Sequence, residues 1–79
     1  MLKHDLHHDF PDHEVKIHNL RASNHDFLKV SDAYLEVDRE IEKIEKELDH
    51  AKGLVEDQHL NELRMRRVHL KDQIAVFLK

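Results

Sequence analysis

Apolar residues recur at alternating steps of three and four from Phe27 to Ala51: Phe27, Val30, Tyr34, Val37, Ile41, Ile44, Leu48 and Ala51. A step averaging 3.5 residues places side chains on one seam of an α-helix, whereas a strand alternates its faces every residue. The seam predicts one long helix over roughly four heptads. The residues between, such as Glu36, Asp38, Arg39, Glu40, Glu42 and Lys43, read as its solvated face. A second stripe follows in Leu60, Leu63, Arg67, Leu70, Ile74 and Phe77, with Arg67 its one polar member.

Between the stripes lies Gly53, the only glycine of the chain. Glycine suits the left-handed residue that follows a helix, and Asp57 is placed to cap the next one. Helices joined by so few residues are antiparallel neighbours. Reading the stripes against each other pairs Leu48 with Leu60, Ile44 with Leu63, Ile41 with Arg67, Val37 with Leu70, Tyr34 with Ile74 and Val30 with Phe77. The fold predicted is all-α: an antiparallel, coiled-coil-like helical hairpin with a short additional N-terminal helix. The 79 residues form one domain: a flexible stretch over 1–10, a short helix over 11–22, and long helices over 25–52 and 57–78.

The first helix starts at the chain's single proline, Pro11, which fits a first helical turn where its missing N–H is not needed. Asp9 is a candidate N-cap. Ser23 with Asp26 three residues later resembles a capping box, and the change of apolar phase there predicts a break or kink. Because the hairpin runs out opposite Lys29, Phe10, Val15, Ile17 and Leu20 need a surface. The segment either folds back over the open end or packs on another copy.

Charged residues make up 38% of the chain and the net charge is −4, which gives no general argument for nucleic acid or an anionic membrane. No apolar run approaches the ~20 residues that cross a bilayer, and the start MLKHDLHHDF is too polar for a signal peptide. The absence of cysteine removes disulfides and thiolate metal sites, so the expected location is cytoplasmic.

One small core supplies little stability at this length, so association is expected, most simply as a two-fold homodimer, together with an unknown protein partner. Leu28, Leu35, Met65 and Val68 lie off the seams. With Phe10, Ile17 and Leu20 they form the candidate interaction surface. Arg64, Arg66, Arg67 and Lys71 form a basic patch that would touch phosphates in a nucleic-acid-binding accessory protein. The acidic neighbouring helix is the more economical partner for them, and no recognised nucleic-acid module is present. Arg67 itself reads as a side chain snorkelling at the bundle edge, or as a buried residue that sets register, with Glu40 or Glu45 nearest.

Nine histidines stand out. His4, His7 and His8 would share a helical face near Asp5 and Asp9, but four well-spaced ligands are not fixed, so no metal site is assigned. Protonating all nine would carry the formal charge from −4 to +5, a swing that would make association depend on pH. No nucleophile has a partner beyond sequence adjacency and no glycine-rich phosphate loop exists, so neither an enzymatic activity nor a cofactor is expected.

The stretch HDLHHDFPDHEVKIHNLRASNHDFLKVSDAYLEVDREIEKIEKEL, followed by LNELRMRRVHLKDQIAVFLK, resembles the YdcH family of small bacterial proteins. The telling residues are His4-Asp5-Leu6, Phe10-Pro11, Ile17-His18, Leu20, Phe27, Tyr34, Glu40-Ile41, Ile44-Glu45, and Leu70-Lys71-Asp72 with Ile74. The resemblance implies a cytoplasmic helical hairpin of uncharacterised role and carries over no catalytic residue. The chain departs from the family pattern where Glu56-Asp57 stands in place of a serine or threonine cap.

Overall fold

The computed structural model describes residues 6–51 and 58–79, and the side chains at 7, 8 and 48–51 fall outside it. The expectations for Gly53, Asp57, the His4–His7–His8 face and the Leu48–Leu60 layer therefore lie outside the described residues. A single turn, α1 (Leu6–Asp9), leads into a 3-10 turn at Pro11–His13, then α2 (Glu14–Ser23), α3 (His25–Ala51) and α4 (Gln58–Leu78). No strand occurs among the described residues.

The two long helices form the predicted antiparallel pair. Glu45 of α3 meets Arg64 of α4, Asp38 meets Arg67, and Phe27 meets Phe77, so numbers fall along α3 as they rise along α4. Each contact lies within about one helical turn of the predicted register. One core cluster gathers Val37, Ile41, Leu60 and Leu63, with Ile44 and Leu70 packed against it. The other gathers Leu6, Ile17, Phe27, Tyr34, Ile74 and Leu78 at the far end of the hairpin. Phe27 and Phe77 meet edge to face, ring centroids 5.3 Å apart, an arrangement favoured by the ring quadrupoles.

The second cluster settles where the first segment goes. It folds back over the hairpin's open end, and Ile17 is 1% exposed beneath it. Four hydrogen bonds from two side chains hold it. The Lys16 ammonium donates to the carbonyls of Leu78 and Lys79 at 3.2 and 3.0 Å, a cation at the negative end of α4. Arg21 donates to Ser31 Oγ and, at 2.9 Å, to Asp32 Oδ1. The stretch read as flexible also contributes: Leu6 is buried in the core, one turn before half-buried Phe10.

The expected break falls at Asn24, whose backbone is extended (φ −121°, ψ 108°). The cap is Asn24 rather than Ser23. Asn24 Oδ1 accepts the Phe27 N–H at 3.0 Å, while Ser23 Oγ turns back to donate to the Asn19 carbonyl at 2.7 Å. A serine on the last turn of a helix has that carbonyl within reach, which removes it from capping the next helix. Nor does Asp9 cap the Pro11 turn: Phe10 is the flanking residue and no side chain caps it.

Candidate interaction surface

The buried face of α3 is not wholly apolar. Phe27, Ser31, Tyr34, Asp38 and Ile41 repeat at steps of four, three, four and three, and all five are buried. Two polar residues thus occupy core positions, and each is met by an arginine from a different helix. Arg21 of α2 reaches Ser31, and Arg67 of α4 reaches Asp38 at 2.6 Å. The Asp38 side chain is 3% exposed and that of Arg67 31%. Placing Asp38 on the solvated face is therefore corrected, as is the choice of Glu40 or Glu45 for Arg67. Arg67 does not simply snorkel; it brings its charge to a buried carboxylate that would otherwise lack compensation.

Tyr34 completes this polar seam. Its hydroxyl donates to Asp9 Oδ2 at 2.5 Å. Burial, aided by the Asp9 hydrogen bond and by the charges of Asp9 and Asp38, pushes the phenol well above its ordinary range, against an opposing pull from Arg67. Asp9 is thus spent on tying α1 to α3. The seam borders a groove of about 370 Å³ lined by Asp9, Tyr34, Asp38, Glu45, Arg67, Val68 and Lys71. Among the described residues no buried side-chain nitrogen or oxygen lacks a hydrogen-bond partner, and no group of three or more His, Asp or Glu is placed to hold a metal ion.

The basic patch is largely engaged within the chain. Arg64 pairs with Glu45 at 2.7 Å and Arg67 with Asp38. The Lys71 ammonium stands 5.9 Å from the centre of the Phe10 ring, within cation–π range. Arg66 is exposed and borders a groove with Glu36 and Glu40. Arg64 and Arg67 therefore sit against carboxylates of α3, as cross-helix complementarity predicts, while Lys71 is engaged by a ring of the N-terminal segment instead.

The candidate apolar surface divides in two. Ile17 belongs to the core, Leu35 and Leu20 pack half-buried against the same cluster, and so does Phe10; Leu28 is half-buried. Ile17 is thus removed from the surface, because the segment carrying it closes on its own hairpin. Met65 and Val68 remain, 64% and 58% exposed, and Val76 joins them at 63%. On α4, Met65, Val68, Asp72 and Val76 succeed one another at steps of three, four and four, which makes a continuous face. It lies opposite the face of Leu60, Leu63, Ile74 and Leu78 that is buried against the rest of the chain. Val76 was recoverable from the sequence: it stands eleven residues, close to three full turns, beyond Met65. Val15 on α2 is also 74% exposed, but no other large exposed apolar residue adjoins it along its helix.

The family model described as "Protein of unknown function (DUF465)" matches residues 27–78. The chain belongs to the DUF465 family. The matched region takes in α4 and all but the first two residues of α3, so the hairpin is what this DUF465 protein shares with its family, in keeping with the resemblance to YdcH proteins. The α1–α2 cover, with its Asp9, Lys16 and Arg21 ties, precedes that region. No curated protein and no solved structure matches the chain. No helix among the described residues of this DUF465 member is long and apolar enough to cross a membrane.

Proposed function

We propose that this DUF465 protein is a non-enzymatic interaction module of the cytoplasm, whose last helix joins the hairpin on one face and a protein partner on the other. The observation that carries the reading is the second apolar face of α4, with Met65, Val68 and Val76 each more than half exposed. A helix needed only for a hairpin keeps one apolar side and turns charge outward, as α3 does. Exposed apolar side chains gathered on one face among polar ones, here with Asp72 between Val68 and Val76, are characteristic of association sites. The polar seam supports the same reading. Its arginine and tyrosine are committed to carboxylates of the fold, and a phenol held protonated is poorly suited to act as a base. The internal pairing of Arg64 and Arg67 leaves less charge for phosphates than the patch suggests from sequence.

The test compares proteins retained from the native cell by the wild-type chain, by a triple variant Met65→Glu, Val68→Glu, Val76→Glu, and by Val15→Glu. The expected result is a partner, a second copy included, retained by wild type and Val15→Glu and lost with the triple variant. Equal retention by all three, with all three folded by circular dichroism, overturns the reading.

A further inference from the structure

We infer that the occupant of the outer face of α4 is a second copy of this chain, its α4 lying antiparallel across the first about a two-fold axis near residues 70 and 71. This rests on the reading of that face as an association surface. The argument comes from the order of residues along it. When Met65 is set opposite Val76 of the second copy, His69 comes opposite Asp72 of that copy, and Glu62 comes near its Lys79, one residue past the end of α4. Two-fold symmetry repeats each contact, so the helix is complementary to its own reverse. His69, Asp72, Glu62 and Lys79 are all exposed and free to meet across such a joint. A parallel pairing in register would instead set Asp72 on Asp72 and Glu62 on Glu62, like charge on like. An unrelated partner would need no such self-complementarity. The contact is one helix pair, at the small end of specific interfaces, so the dimer dissociates on dilution.

The chain contains no cysteine, which makes cross-linking a clean test. The variant carrying both Met65→Cys and Val76→Cys places two thiols about 16 Å apart on one helix, beyond the reach of a disulfide within the chain. In the proposed dimer each thiol faces the other kind on the second copy. Mild oxidation of the full chain is expected to give a covalent dimer, while Met65→Cys alone gives little, because its two copies lie far apart across the axis. Sedimentation of the wild type is expected to show a monomer–dimer equilibrium, weakened about tenfold by Val76→Glu.

Covalent dimer forming as readily from Met65→Cys alone overturns the antiparallel arrangement. So does self-association in sedimentation with no cross-link from the double variant, although the association surface then stands. A wild-type monomer at about 1 mM overturns the second copy as occupant. The retention experiment above then judges the association surface separately.

Discussion

Arg67 on α4 donates to Asp38 on α3 at 2.6 Å, and the carboxylate it meets is almost entirely buried. The interruption in one apolar stripe is thus the counterpart of a polar residue in the other. The pair makes a slip of register costly, since sliding α4 by one turn would strand a buried charge.

Removing the cation should therefore cost more than removing both charges. Arg67→Met is expected to destabilise by about 2–4 kcal/mol, somewhat below the range for a fully buried pair because Arg67 is partly exposed. The double variant Arg67→Met, Asp38→Leu should recover much of that loss. Urea unfolding of the four members of the cycle measures it. The exposed pair Arg64–Glu45 is a built-in comparison: Arg64→Ala should change stability by less than about 1 kcal/mol.

Tyr34 gives the fold an alkaline limit. Its folded-state pKa is raised, so the folded chain holds the phenolic proton more strongly than the unfolded chain does. The stabilisation is fully present below the unfolded value, about 10, and falls as pH rises above it. Because the chain has one tyrosine, tyrosinate absorbance at alkaline pH should appear together with loss of helical ellipticity. Tyr34→Phe should remove this contribution to the loss of stability above pH 10.

The α2 cover can be probed at two positions two residues apart. Ile17 is 1% exposed and Val15 74%. Ile17→Ala is expected to cost about 2–5 kcal/mol by opening a cavity between α2 and the hairpin. Val15→Ser should stay within about 0.5 kcal/mol. Thermal melts followed by circular dichroism separate the two, and equal effects would contradict the folded-back position of α2.

The cap at Asn24 is also accessible. Asn24→Ala removes the acceptor for the Phe27 N–H and should cost about 1 kcal/mol, whereas Ser23→Ala should cost less. The reverse order, read from the midpoints of urea unfolding, would restore Ser23 as the cap.

The hairpin was legible in the sequence because α3 is apolar on one side, and a one-sided stripe has one possible orientation. The outer face of α4 was only half legible. A helix apolar on opposite sides does not declare which side turns inward, so Met65 and Val68 stood out while Val76 did not. Asp38 was hidden by its neighbours, since a carboxylate among Glu36, Arg39 and Glu40 looks solvated. The clue lay on the other helix, where Arg67 in a buried stripe demanded a buried anion. Ile17 was misplaced for a different reason. Helical periodicity fixes which residues share a face, but whether a short segment folds back depends on long-range ties such as Lys16 to the end of α4.

Only Asn24 separates α2 from α3. Were its backbone to turn helical, Glu14 to Ala51 would become one straight rod of roughly 57 Å, and Ile17 would leave its own hairpin for whichever hairpin stood nearby. The same side chains and ties would serve, exchanged between chains instead of closed within one. A single pair of torsion angles thus stands between a self-contained molecule and an interlocked one.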